Sequence, residues 1–171
     1  MKRVSEAVKQ DHRELEGYYN KILNGANDDE RTRWQNQFIW ELARHSVGEE
    51  LVVYPAMEKY LPNGKELADK DRNDHRIASD PEFMTTINHL WEELTQHIKD
   101  EEENDLPSLE KALSEEESEK MEKSFMRSKM FAPTRSYPNA PDKPPFETVV
   151  GLLTAPIDQL RDLFNKFPEN P

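Results

Sequence analysis

The chain has no cysteine among its 171 residues. This excludes disulfides, thiolate-bound metals, iron–sulfur clusters and cysteine nucleophiles, and it is compatible with a reducing compartment. Long apolar runs are also missing. No segment approaches the roughly 20 apolar residues of a membrane span, and the basic start Met1-Lys2-Arg3 is followed by no apolar stretch. Neither a membrane anchor nor a secretory signal is expected, and the expected location is cytoplasmic. Positive charge is scarce as well. Lys and Arg number 23 against 35 Asp and Glu, for a net charge of −12. Such a surface repels phosphate backbones and anionic lipid, so nucleic-acid and membrane partners are not expected.

What is present is polar but periodic. Hydrophobic residues make up 35% and charged residues 34%, and the apolar ones recur at helical spacing, which indicates folded helices rather than disorder. A first helix is expected over residues 3–24, with Val4, Val8, His12, Leu15 and Tyr19 on one stripe. A second spans 30–60, with Asp28 or Asp29 as its N-cap and a kink or restart at Pro55. A short polar third covers 65–79. Asp80-Pro81 opens a fourth over 81–104, and residues 108–130 continue it beyond Pro107. The run Glu115-Glu116-Glu117 reads as a solvated face.

The composition changes after residue 130. Eight of the twelve prolines lie between 133 and 171. The predicted organisation is therefore a helical bundle over 1–130 and a Pro-rich extension over 131–171. The extension reads as a strap followed by an amphipathic stretch, Val149 to Phe167, that docks on the bundle. Short connections predict an all-α fold, an antiparallel four-helix bundle whose inward side chains can build a metal site.

A doubled motif identifies those side chains. His45-Ser46-Val47-Gly48-Glu49-Glu50 is followed by Pro55, and His97-Ile98-Lys99-Asp100-Glu101-Glu102 by Pro107. Both read H-x-x-x-E-E-x-x-x-x-P, and each follows an Asp-His-Arg, at Asp11-His12-Arg13 and Asp74-His75-Arg76. Residues four apart share a helix face. His45 with Glu49, and His97 with Glu101, therefore each aim an imidazole and a carboxylate at one point. Buried carboxylates are costly unless a cation meets them, and a His/carboxylate set without Cys suits iron, manganese or zinc. His12 joins the set from the inward stripe of the first helix. Glu50 and Glu102, about 100° further round, face away, as groups that support the ligands or lie on the surface. Glu16, four residues after His12, could join the cage but reads better as a supporting or surface residue, His89 as structural or exposed, and Trp34, Trp40, Trp91, Tyr18 and Tyr19 as packing aromatics.

Through these motifs, residues 4–107 resemble the hemerythrin-like proteins that carry an HHE cation-binding domain, and the tail resembles that of fungal members. The resemblance implies a left-handed four-helix bundle around a non-heme di-iron site, oxo- or hydroxo-bridged, though another divalent metal could take its place. It implies bridging carboxylates at Glu49 and Glu101, and terminal imidazoles at His12, His45, His75 and His97. It further implies O2 or a small oxidant as partner, in carriage or in sensing of oxygen or iron, by a monomer or homodimer. Two departures stand out. The second histidine that oxygen carriers place four residues after the match to His75 is Ser79 here. The third helix is also short, which would set His75 roughly 15 Å off the level of His97. Either His75 does not reach the site or the third and fourth helices connect differently. Two other functional classes stay open: an enzyme that activates O2 or peroxide for substrate oxidation, and a degenerate bundle with an incomplete site that serves as an interaction module.

Overall fold

The computed structural model of the chain describes residues 2–78, 87–131 and 167–168. All regular structure among them is helical. α1 is Val4–Leu23 and α2 is Asp28–Gly48. One wide turn of π-helix, Glu49–Val53, leads directly into α3, Tyr54–Tyr60. α4 is Gly64–Ala78 and α5 is Ile87–Asp100. A second π-turn, Glu101–Asp105, leads into α6, Leu106–Ala112, and α7 is Glu115–Phe131. Because the π-turns are continuous with their flanking helices, the described residues form five rods. The expected helix start at Asp80-Pro81 and the extension up to residue 166 lie outside the described residues. So does the side chain of His75, whose backbone belongs to α4.

Local chemistry explains the ends of the rods. α2 is capped by Asn27, whose side chain accepts from the Glu30 N–H at 2.9 Å. The cap is thus one residue earlier than expected from Asp28 or Asp29, and both aspartates fall instead in the first turn, where the helix dipole favours them. Residues 108–130 do not continue α6. The helix stops at Ala112, and Ser114 starts α7 with a reciprocal cap. The Ser114 N–H donates to Glu117 at 2.9 Å, and the Glu117 N–H to the Ser114 hydroxyl at 3.3 Å. Glu117, read from sequence as part of a solvated face, is the capping carboxylate of a Ser-x-x-Glu box. The Leu61–Asn63 turn demands glycine at position 64, where a Cβ would lie 1.7 Å from the Met57 carbonyl oxygen.

Turning back at Ser114 lays α7 along α1 and α2, while α3 packs on α4 and α4 on α5. The start of α1 is tied to this corner. Its Val4 N–H donates to Ser118 on α7 at 3.1 Å, and its Ser5 N–H to Glu110 on α6 at 3.0 Å. Two apolar clusters fill the interior. One gathers Val4, Val8, Val53, Tyr54, Met57, Leu106, Leu109 and Phe125. The other gathers Leu15, Ile22, Phe38, Leu42, Leu90, Leu94 and Ile98, and the Tyr19–Trp91 stack lies against it, with ring centroids 4.6 Å apart. Every rod that enters both clusters carries its polar residues between them. His12 falls between Val8 and Leu15, His45 and Glu49 between Leu42 and Val53, and His97 and Glu101 between Leu94 and Leu106. The fold thus sets a polar layer between two apolar ones.

Candidate metal centre

The layer is dry. His12, His45, Glu49 and Glu101 are fully or almost fully buried, and His97 is 2% exposed. His45 and Glu49 sit one turn apart, and the imidazole Nε2 is 3.2 Å from Glu49 Oε1. Glu101 faces the imidazole of α1 instead, with its Oε2 3.3 Å from His12 Nε2. The His12 and His45 rings meet edge-on, centroids 4.9 Å apart. Two ligand sets result, His12–His45–Glu49 and Glu49–His97–Glu101, and within each the ligand atoms lie within 4.8 Å of one another. Glu49 belongs to both.

The prolines of the motif shape the backbone at this level. Pro55 has no N–H, and in an α-helix its ring would collide with the carbonyl four residues back. The chain widens just before it, so the Tyr54 N–H reaches five residues back to the Glu49 carbonyl. Leu106, ahead of Pro107, does the same to Glu101. Sequence reading expected a kink or restart at the proline. The accommodation comes a turn earlier, and each π-turn begins on the carboxylate that faces the centre. Such turns recur at functional sites.

His12 and His45 are each held from behind by a carboxylate, and His97 faces one at longer range. His12 Nδ1 is 2.8 Å from Glu102 Oε1, His45 Nδ1 is 3.4 Å from Asp11 Oδ2, and His97 Nδ1 is 3.6 Å from Asp71 Oδ1. This arrangement fixes a ring's tautomer and presents Nε2 as a basic lone pair. Glu50 and Glu102 do turn away from the centre, yet neither is an idle surface group. Glu102 supports His12 and pairs with Arg13, and Glu50 receives Arg72 of α4 at 2.6 Å. Glu16 is exposed and pairs with Arg13, and His89 is exposed. Level with His97 on α4 stands Asp71, fully buried. His75 follows it by one helical turn, about 6 Å along the axis.

Charge is badly matched in this space. Burial, then the charges of Glu101 and Asp71, push the Glu49 carboxyl well above the usual carboxylate range. Burial would raise Glu101 too, but the contact with His12 and the charges of the three imidazoles hold it down at about 2. Burial works against a charged His12, yet its contacts with Glu101 and Glu102 outweigh this and raise it. Burial lowers His45. Burial and the charge of Glu101 push Asp71 up to about 7. In the metal-free layer Glu49 and His12 therefore hold their protons to higher pH than ordinary carboxyl and imidazole groups do. Both oxygens of Glu101 and of Asp71, and Nε2 of His12, are buried without a hydrogen bond among the described residues. Orphaned polar atoms of this kind are costly. A cation between the two sets would meet the Glu101 oxygens and His12 Nε2, and hard oxygen with imidazole nitrogen is the donor set of iron, manganese or zinc. The residues present fit a bound metal cation.

Glu102 is among the supporting groups that sequence reading offers, whereas Asp11, Asp71 and Tyr54 are not. Asp11 was visible within Asp11-His12-Arg13, and Asp71 lies one turn before His75 on the same face. The tertiary partner of each could not be read. Tyr54, whose hydroxyl donates to Glu49 Oε2 at 3.1 Å, had no signal beyond its place in the motif.

Comparisons with known proteins bear on the family of the chain rather than on the site's geometry. A family model described as the hemerythrin HHE cation binding domain matches residues 3–109. An uncharacterized hemerythrin-like protein of Schizosaccharomyces pombe is 52% identical over 181 aligned positions, which cover 98% of this chain and 89% of the relative. The alignment is longer than this chain, so the relative carries residues within the matched span that are absent here. No solved structure matches.

Proposed function

This chain belongs to the hemerythrin HHE cation-binding family, and on that footing we propose that it is a non-heme di-iron protein that binds O2 or a small oxidant and thereby carries or senses oxygen or iron. The observation that carries the proposal is the sharing of Glu49 by two buried His/carboxylate sets. His12, His45 and Glu49 would hold one iron, and Glu49, His97 and Glu101 the other. Glu49 and Glu101 would bridge, and His75, whose side chain lies outside the described residues, would be the further imidazole. When bound, iron supplies the redox chemistry and open coordination that a diatomic or peroxide ligand requires.

The protein's own groups do the rest. The Tyr54 hydroxyl orients Glu49, and Asp11 and Glu102 orient the imidazoles of His45 and His12. The two apolar clusters keep bulk water from the layer. The four rods α1, α2–α3, α4 and α5–α6 are read as an antiparallel four-helix bundle, with α7 laid beside it. The extension over 131–171 is read as docking on α2, supported by the Phe167 carbonyl, which accepts from Arg33 at 2.9 Å, and by the Phe167 ring against Trp40. No helix among the described residues is long and apolar enough to cross a membrane. A cytoplasmic monomer or homodimer is proposed.

The test is metal analysis of the purified full chain, together with its visible spectrum in air, with and without azide. Two irons per chain and ligand-to-metal bands that azide shifts are expected. A chain that takes up no metal, and whose melting temperature chelator leaves unchanged, would instead be a degenerate interaction module. Oxidation of a substrate by the iron-loaded form, lost in Glu49→Ala, would turn the reading toward an oxidase.

A further inference from the structure

The described residues hold a buried lysine that the proposed chemistry does not use. Lys129 is 5% exposed, and it lies on α7, outside the residues 3–109 that the family model matches. Burying a lysine is costly unless its charge is met. Here it is met twice, by Asp11 Oδ2 at 2.6 Å and by Glu41 Oε1 at 2.6 Å. The oxygen of Asp11 that Lys129 holds is the same one that faces His45 Nδ1. Lys129 is itself anchored, because Arg44 of α2 donates to its carbonyl at 2.9 Å. One turn earlier on the same face of α7, the Phe125 ring stands edge-on to the His45 ring, centroids 6.3 Å apart.

We infer that Lys129 is a positioning residue of the metal centre: by holding Asp11, it fixes the orientation and tautomer of His45, so α7 is a working part of the site rather than an appended helix. The geometry favours this over a simple tie between helices. A tie between α7 and the bundle could end on Glu41 alone. Lys129 instead reaches the carboxylate behind an imidazole, and no other cation contacts Asp11 among the described residues. A carboxylate held by a fixed cation cannot swing toward the ring's edge or rotate away, so the ring keeps one face to the centre. Groups that orient a metal-ligating histidine in this way commonly change metal affinity by about tenfold or more.

The inference rests on the metal-binding reading, and its test keeps the two apart. The first measurement needs no metal. In the metal-free full chain, Lys129→Met should shift the imidazole nitrogen resonances of His45 and leave those of His97 unchanged. The second uses cobalt(II) as probe. Lys129→Met should weaken binding about tenfold and alter the ligand-field bands, Lys129→Arg should stay within about twofold of the parent, and Lys123→Met, on the same helix, should change nothing. If Lys129→Met does not fold, Lys129→Gln takes its place against Lys129→Arg, and equal affinity in those two overturns the inference. A parent chain that binds no cobalt removes the metal reading and leaves the resonance shift to decide the Lys129 claim. A folded Lys129→Met chain with parent affinity, parent bands and unmoved His45 resonances shows that Lys129 only ties helices together.

Discussion

In the first copy of the motif, Glu49 receives the Tyr54 hydroxyl, and Glu50 turns to Arg72 on α4. In the second copy the residue matching Tyr54 is Leu106, Glu101 faces His12 on α1, and Glu102 supports the same His12 from its other nitrogen. The backbones agree: each copy opens a π-turn on its first carboxylate, one turn ahead of its proline. Sequence repetition thus reproduces local geometry, while the neighbours decide what each copied carboxylate does. The outcome is unequal. His12 and His45 lie together at one end of the layer, behind Asp11, Glu102 and Lys129. At the other end His97 stands against Asp71.

Glu49 is the residue both ends share, so its removal should erase the difference between them. Glu49→Ala is expected to abolish binding at both positions, a loss of at least a hundredfold, whereas His97→Ala should leave about one metal per chain. Equilibrium dialysis followed by metal analysis reads both. The metal-free Glu49→Gln chain should be no less stable than the parent, because burial and the charges of Glu101 and Asp71 disfavour a charged carboxylate at that position. Retention of two metals by Glu49→Ala would mean that the two sets do not share a ligand.

Titration sharpens the same point. Glu49 and His12 both have folded pKa values raised above their ordinary ones, and both must lose a proton to ligate. Metal affinity should therefore rise with pH, by between about ten- and a hundredfold per unit while those protons are held. Without metal the sign reverses. A raised folded pKa contributes stability below the ordinary value that is lost as pH climbs through the raised one. Glu49, His12 and Asp71, the last at about 7, all act in that direction. His45, lowered by burial from 6.5, opposes them only below that value. The metal-free chain should thus melt at a lower temperature at pH 8.5 than at pH 6.5, and the difference should shrink when metal is added. A pH-independent affinity would show that no proton leaves the layer.

The third comparison sets Glu50 against Glu102. Glu102→Gln removes the carboxylate behind His12 and should cost about tenfold in metal affinity, with little change in melting temperature, since Glu102 is partly exposed. Glu50→Gln breaks a pair with Arg72, whose side chain is 10% exposed. It should destabilise the fold by about 2 kcal/mol and leave affinity nearly unchanged. Thermal melts beside cobalt titrations of both variants separate the effects, and equal behaviour would mean that the two copies are not wired differently.

How much of this was legible follows from where each signal resides. Helical periodicity and the spacing of His45, Glu49, His97 and Glu101 are local, so the helices and the convergence of these residues with His12 could be read from sequence. Ser114-x-x-Glu117 is local as well, and its meaning as a helix start was obscured by the acidic run around it. The partners of Glu50, Glu102, Asp11 and Lys129 lie 22 to 118 residues away, and no pattern in one chain encodes such pairings. The shortness of α4 was visible. That Asp71 stands level with His97 depends on the turn at Leu61–Asn63, which sets where α4 begins.

The smallest expected effect tests why only one copy has a glycine before its carboxylate. A Cβ on Gly48 would lie 2.8 Å from the Phe125 ring, while the matching residue of the second copy, Asp100, points to Gln96 and Lys70. In an open helix, Gly→Ala gains up to about 1 kcal/mol from propensity. Overpacking costs about 1–3 kcal/mol, and Phe125 has little room to retreat between His45 and Lys129. Gly48→Ala should therefore destabilise the fold by about 1 kcal/mol, and Asp100→Ala should stay within about 0.5 kcal/mol, since only exposed contacts are lost. Denaturant melts of the metal-free chains distinguish the two. A stabilised Gly48→Ala chain would mean that α7 sits loosely on the first copy, and the asymmetry between the copies would then rest on Asp11, Tyr54 and Glu102 alone.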